Sequence, residues 1–280
     1  MSAPILVTGG GGMLAHALGK VWGDEVELVS RDQLDITDRS AVADAVRGRR
    51  AVINTAAYTA VDFAEGHDNV AFAVNATGAE NVARACADSS AALIHISTDY
   101  VFDGRATSPY SEDSPTGPIS AYGRSKLSGE QAVVAAHPTG TRIVRTAWLY
   151  GAQGTNFVAT MLAKARAGDR VAVVTDQVGQ PTWAVDVAER IRHVLDAAPG
   201  IYHATNAGSC NWWDLAQAVY QAAGADVSLV EKTVAAAFVR PAPRPSYSVL
   251  GDEAARAAGI PAMRPWREAL DEALRIDFAV

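Results

Sequence analysis

The chain has 280 residues, 49% hydrophobic and 20% charged, which gives ample core for one large domain or two unequal ones and excludes disorder or a coiled coil. Thirty-one acidic against 24 basic residues give a formal net charge of −7 with no lysine cluster to grip a phosphate backbone, so no nucleic acid partner is expected. Cys86 and Cys210 stand in unrelated contexts, the opening Met1-Ser2-Ala3-Pro4 lacks a signal peptide's basic start, and the longest uncharged stretch, Thr146 to Ala163, is too polar to span a membrane; a reducing cytoplasm is the expected location.

Apolar runs of strand length alternate with helical patterns from the start, the sequence form of a doubly wound parallel sheet. Ile5 to Val7 is the first strand, followed by a glycine cluster and a helix over Met13 to Trp22. Val26 to Val29 is the second strand, and Asp38 is placed to cap a helix over Ser40 to Val46. Val52-Ile53 is the third strand and Ala71 to Cys86 one long alanine-rich helix. Leu93 to Ile96 is the fourth strand, Tyr122 to Ala136 a helix and Arg142 to Val144 the fifth strand. Beyond Tyr150 the rhythm loosens, with a helix over Phe157 to Ala167, a strand over Val171 to Val174 and a helix over Val185 to Leu195. Residues 1–150, completed by part of 168–197, are expected to form the nucleotide-binding domain, and 151–280, with Trp212, Trp213, Trp266 and the Arg240 to Pro245 segment, a smaller mixed substrate lobe.

Thr8-Gly9-Gly10-Gly11-Gly12-Met13-Leu14-Ala15 sits where the first strand turns into the first helix. There Gly9 makes the turn, Gly12 admits a pyrophosphate to the helix N-terminus, and Ala15, in place of a third glycine, lets helix and strand pack closely. A dinucleotide site selective for NAD places an acid at the end of the second strand, to meet the ribose hydroxyls. Here stand Ser30 and Arg31, a hydroxyl and a guanidinium suited to a 2′-phosphate, so NADPH is the expected cofactor with NADH the alternative. A solvated surface arginine is the competing reading of Arg31. Asp35-Ile36 then flank the adenine.

Tyr122 and Lys126 lie four apart at a helix start, so both side chains project from one face. With lysine only at positions 20, 126, 164 and 232, chance pairing at this offset with a tyrosine is expected about 0.1 times per chain. One strand and one loop upstream, Ser97-Thr98-Asp99 brings a strand-end hydroxyl towards the tyrosine. A carbonyl that accepts hydride needs a proton and a polarising donor. Tyr122 is the expected acid, its phenol lowered from about 10 by the Lys126 ammonium, and Thr98 the expected donor to the carbonyl oxygen. His95, inside an apolar strand, reads as a packed residue.

Together these motifs resemble an extended short-chain dehydrogenase/reductase. Asn54 to Asp62, Ser97 to Gly104, Tyr122 to Glu130, Arg145 to Gly151, Asp176 to Thr182, Gly200 to His203 and the Arg-Pro segment before Ser248 resemble the dTDP-4-dehydrorhamnose reductase family, over nearly the whole chain. The resemblance implies a Rossmann-type sheet and NADPH-dependent reduction of the 4-keto group of a dTDP-6-deoxyhexose, dTDP-4-dehydro-L-rhamnose first among them. By the same resemblance Gly12, Met13, Leu14, Asp35, Ile36, Ala56, Ala57 and Tyr58 contact the dinucleotide, with Tyr122 and Lys126 at its nicotinamide ribose. Thr98, Asp99 and Trp148 meet the sugar nucleotide.

For Trp148 the alternative is core packing. Gln177, Gln180 and Thr182 either bind sugar or make a turn; Arg240 and Arg244 either bind the diphosphate or lie on the surface. A dehydratase on this fold would want Glu where Tyr100 follows Thr98-Asp99. A reductase of another dTDP-4-ketosugar, for an antibiotic glycoside, and a non-catalytic subunit like the methionine adenosyltransferase β-subunit remain alternatives, the intact Thr98, Tyr122 and Lys126 arguing against the second. The scattered acids show no metal-ligand spacing, so no metal is expected, and the sequence leaves the oligomeric state open, a homodimer included.

Overall fold

A computed structural model describes residues 4–280; Met1, Ser2 and Ala3, part of the opening read above, lie outside the described residues. The first half follows the alternation read from the sequence: β1 (Ile5–Thr8), α1 (Met13–Trp22), β2 (Val26–Val29), α2 (Arg39–Val46) and β3 (Ala51–Asn54). Asp38 caps α2, its carboxylate accepting from the N–H groups of Ser40 and Ala41 and so satisfying two amides the helix cannot. Two short helices follow, α3 (Val61–Ala64) and α4 (Asp68–Phe72), then α5 (Ala79–Ser89), β4 (Ala92–Thr98), α6 (Ala121–Ala136) and β5 (Thr141–Thr146).

The helix expected over Ala71 to Cys86 is not continuous, because a π-helical turn over Ala73–Gly78 separates α4 from α5. The turn carries Asn75, whose side chain bonds outward to Tyr58 and Ser125. Widened turns of this kind trade helical hydrogen bonding for the placement of one side chain.

Among the described residues the main sheet has six strands, all parallel, ordered β10-β5-β4-β3-β1-β2, where β10 is Gly200–His203. Its two faces bury alternate residues of the same strands. Ile5 and Val7 pack with Leu14, Leu18 and Trp22 of α1 and with Val187, Ile191 and Val194, whereas Leu6 and Val52 pack with Val42, Val82 and Val133. Burial on both faces explains the unbroken apolar runs.

The second half contains β6 (Leu149–Tyr150), α7 (Phe157–Ala167), β7 (Val171–Val174), β8 (Val178–Gly179), β9 (Thr182–Trp183) and α8 (Ala184–Asp196). Beyond β10 come β11 (Cys210–Asn211), α9 (Trp212–Ala222), β12 (Val230–Thr233), α10 (Glu253–Ala257) and α11 (Trp266–Asp277). α8 packs on α1, against the main sheet, while β7 pairs with β12 in a separate two-stranded sheet. β10, α9 and α11 stand where no element is expected from the sequence. The signal for α11 was present, since Trp266, Ala269, Leu270, Ala273 and Leu274 repeat at helical spacing and all are buried. No described helix is long and apolar enough to cross a membrane.

Candidate active site

The glycine loop is shaped by crowding at the C-terminal ends of the central strands. Gly9 has φ +73°, and a Cβ there would stand 2.7 Å from the Ala56 nitrogen, so both conformation and space require glycine. The Gly12 N–H closes the turn on the Gly9 carbonyl at 2.8 Å, and Gly12 opens α1 without a side-chain cap. The first amides of α1 are therefore left without a side-chain partner, an arrangement that can receive a pyrophosphate. Thr8, Asn54 and His95 tie the three strands at this point: the Thr8 hydroxyl donates to Asn54 Oδ1 at 2.6 Å, and the Asn54 amide lies 3.2 Å from His95 Nδ1. His95 is fully buried, and burial holds it neutral.

Of the residues expected at the dinucleotide, Gly9, Gly12, Met13, Ala56, Ala57 and Tyr58 gather around this turn and the loop after β3. Leu14 and Ile36 sit differently: each is buried, with its side chain in the core on one face of the sheet, so only their backbones are left to face a ligand. Ser30 and Arg31 follow β2, and the Ser30 N–H donates to Gln33 at 2.8 Å. Arg31 is exposed and only loosely held, 3.6 Å from Asp35. The Thr37 N–H and hydroxyl keep the Asp35 carboxyl below the usual range, with Arg31 adding to the effect.

Thr98 ends β4, and Tyr122 stands in the first turn of α6, whose start is capped by the Ser120 hydroxyl accepting from the Gly123 N–H at 3.1 Å. The helix start is also tied across the fold, because Asn75 donates to the Ser125 hydroxyl at 2.9 Å while holding both the N–H and the carbonyl of Tyr58. Tyr100 packs edge-on against the Tyr122 ring.

The electrostatics differ from the expectation at one point. Burial drives the Tyr122 phenol upward, the Thr98 hydroxyl opposes it, and the charge of Asp99 reinforces it. Lys126 does not lower the phenol here. Its Nζ donates to the Ile96 carbonyl at 2.6 Å, and burial pulls the ammonium down to about 8. A dry site penalises both charged forms. Asp99, buried at 2% exposure, is pushed up to about 6 by the same cause, with the Ser248 and Thr98 hydroxyls pulling the other way.

Trp148 lies beyond β5 with φ +46°, a conformation few side chains adopt. Its ring stacks on Trp212 with centroids 3.5 Å apart, and Gly179 lies so close that any Cβ there would strike the indole. The Gln180 side chain is tied to backbone: it accepts from the Leu250 N–H at 2.7 Å and donates to the carbonyls of Leu250 and Asn206. Thr182 is fully buried and donates to the Gln180 carbonyl, so both serve the turn. Arg244 is paired with Asp62, at 2.8 Å through one nitrogen, while Arg240 is exposed. The sequence did not single out Asn75, and it placed Trp212 only in the expected substrate lobe, not against Trp148. Only Trp212 carried a signal, an aromatic in a tryptophan-rich segment. Among the described residues no three His, Cys, Asp or Glu gather to hold a metal ion.

A family model described as RmlD substrate binding domain matches residues 3–277. A probable dTDP-4,6-dihydroxy-2-methyloxan-3-one 4-ketoreductase of Streptomyces antibioticus is 48% identical over 278 residues, 96% of this chain and 93% of the relative. The dTDP-4-dehydrorhamnose reductase of Streptomyces griseus is 47% identical over 278 residues, 95% of this chain and 91% of the relative. The crystal structure of dTDP-4-dehydrorhamnose reductase from Bacillus anthracis in complex with NADP superposes with a TM-score of 0.94 at 36% identity, covering 98% of this chain and 99% of the other. With its parallel sheet, glycine turn and Thr98–Tyr122 site, this chain belongs to the dTDP-4-dehydrorhamnose reductase family.

Proposed function

We propose that the protein is a cytoplasmic, NADPH-dependent reductase of the 4-keto group of a dTDP-4-dehydro-6-deoxyhexose, taking dTDP-4-dehydro-L-rhamnose to dTDP-L-rhamnose. The observation that carries this reading is that Thr98 ends β4 at the same C-terminal edge of the parallel sheet as the glycine turn after β1, with Tyr122 opening α6 and packed against Tyr100. The residues present fit the cofactor: a turn that admits no Cβ at Gly9, an α1 N-terminus without a side-chain cap, and a loosely held guanidinium at Arg31. When bound, the reduced nicotinamide supplies the hydride.

The Thr98 hydroxyl orients and polarises the ketone oxygen, and Tyr122 delivers its phenolic proton to that oxygen as charge develops. The raised phenol suits an acid, because it keeps the proton on Tyr122 until an alkoxide forms beside it. Lys126 holds the ribose that carries the nicotinamide, and Arg31 with Ser30 meets the 2′-phosphate. Gly9, Gly12, Met13 and the backbones of Leu14 and Ile36 line the dinucleotide with Ala56, Ala57, Tyr58 and Asp35. Trp148, held against Trp212, forms a wall of the sugar pocket. In this reading residues 1–150, completed by part of 168–197, bind the dinucleotide, and 151–280 mainly bind the sugar nucleotide.

A second reading, reduction of another dTDP-4-ketosugar, is favoured by the names of two relatives. The Streptomyces antibioticus ketoreductase is one, and the dTDP-4-keto-6-deoxy-D-glucose reductase of Streptomyces niveus, 43% identical, is the other. The test is loss of nicotinamide absorbance with dTDP-4-dehydro-L-rhamnose generated in situ, using NADPH and NADH in parallel. Fast oxidation with NADPH and formation of dTDP-L-rhamnose is the expected result. Slow oxidation here with fast turnover of a different dTDP-4-ketosugar selects the second reading, and no oxidation with any of them would overturn both.

A further inference from the structure

α8 turns one face to the core, and Arg190 stands on it with Val187 and Val194, at 3% exposure. Burial strips a guanidinium of water, so a buried arginine is ordinarily paired with an acid, and arginine does not escape by losing its proton. Arg145 and Arg264 follow this rule. Arg145 donates to Glu130 through Nε at 2.9 Å and Nη2 at 2.7 Å, and Arg264 donates to Asp186 through the same two nitrogens at the same distances. In both, the planar fork of Nε and Nη2 meets the two oxygens of one carboxylate.

Arg190 has no such partner in the chain. Its Nη1 donates to the Pro261 carbonyl, its Nε is buried without an acceptor, and among the described residues no acid comes within ion-pair reach of it. Asp252 and Glu112 act on its charge only from farther off, Asp252 being held by Arg256 at 3.4 Å. Burial accordingly pulls the guanidinium below its ordinary range.

Arg190 lines a cavity of about 410 Å³ together with His203, Ser209, Gly251, Asp252 and Arg256, and none of Thr98, Tyr122, Lys126 and Trp148 borders it. That volume has room for a small organic molecule. His203 is neutral, because burial drives its ring down to about 3. Its Nδ1 lies 3.0 Å from the Gly251 carbonyl and must carry the ring proton, since a carbonyl only accepts; Nε2 is then a lone pair, and it has no donor in the chain. The lining thus offers the donors of Arg190 beside acceptors on His203, Asp252 and Glu253. We propose that this cavity is a second binding site, separate from the reductase cleft, for a small hydroxylated oxyanion: its carboxylate or phosphate takes the Nε and Nη2 fork of Arg190, and its hydroxyls meet the surrounding acceptors. The inference goes beyond the reductase reading and does not depend on it.

The experiment is the melting temperature of the full-length protein titrated with inorganic phosphate, with glucose 6-phosphate and with L-malate, each against chloride at equal ionic strength. NADPH and dTDP are present throughout, to fill the phosphate subsites of the reductase cleft. A saturating rise of about 2–4 °C is expected with at least one probe. Malate acting alone identifies a hydroxy acid, and glucose 6-phosphate acting more strongly than phosphate identifies a sugar phosphate. Arg190→Met replaces an unpaired buried charge with an apolar side chain, so it should melt no lower than the wild type in chloride and lose the response to every probe. Arg190→Lys keeps the charge and loses the fork, so its titration midpoint should rise by about tenfold, and it tests the site even where the methionine variant does not fold. No rise beyond chloride with any probe, a rise that Arg190→Met retains, or an unmoved midpoint in Arg190→Lys would overturn the proposal while leaving the reductase reading intact.

Discussion

In the six-stranded sheet, the central strands β1, β3, β4 and β5, four to seven residues long, are buried on both faces, and backbone pairing with apolar packing does most of the holding. In the C-terminal lobe, β6, β8, β9 and β11 are two residues long, and side chains take over the work of the backbone. Gln180 bridges Leu250 and Asn206, Asn206 holds the Trp183 N–H and Asp186, and Arg264 grips Asp186 through two nitrogens. The contrast shows how one chain meets two demands. On the proposed reading the cofactor site uses the frame that does not move, and the sugar site uses irregular backbone whose shape individual polar side chains can set.

The contrast can be broken first at a buried ion pair of the sheet. Arg145 on β5 binds Glu130 on α6 through two nitrogens, at 2.9 and 2.7 Å, both side chains almost wholly buried. Glu130→Ala leaves a guanidinium without its partner and should cost about 3–5 kcal/mol, read as a lower denaturation midpoint. A loss under about 1 kcal/mol would mean that water or the Glu112 carbonyl compensates Arg145. Gln180→Ala sharpens the comparison from the other side. It should cost about 1–3 kcal/mol by leaving the buried Leu250 N–H unsatisfied, and amide exchange should quicken in the lobe before it does in β1, β3 or β4. Uniform quickening would show that sheet and lobe open as one unit. The smallest effect is expected at the sheet's edge, where Arg31→Ser should shift preference from NADPH towards NADH by about tenfold, about 1.4 kcal/mol, without altering the melting temperature. Equal KM ratios for the two cofactors before and after the change would place Arg31 outside the site.

The two regions were also unequally legible. Ile5 to Val7, Val26 to Val29 and the Asp38 cap fall where period and capping chemistry put them, because each is decided by residues within a few positions of one another. The long helix over Ala71 to Cys86 was read too simply, since the reason for its π-helical turn is Asn75 reaching to Tyr58 and Ser125, residues distant in the chain. α11 shows an ordinary oversight, with the helical stripe from Trp266 to Leu274 present in the sequence. The role of Gln180 shows a real limit: sugar contact and turn were equal readings until its partners Asn206 and Leu250 were known.

The sequence by itself determined the glycine turn, the Tyr122–Lys126 spacing, the hydroxyl of Thr98 and the family they indicate, because each is a short pattern whose meaning is carried by backbone period and residue chemistry. Only the tertiary structure decided which charges those groups bear. Whether Tyr122 is raised or lowered, whether Lys126 faces a carbonyl, and whether Asp99 holds its proton near neutral pH all depend on how much water the folded pocket excludes. That exclusion is assembled from segments as far apart as Thr98 and Ser248, and no local spacing encodes it.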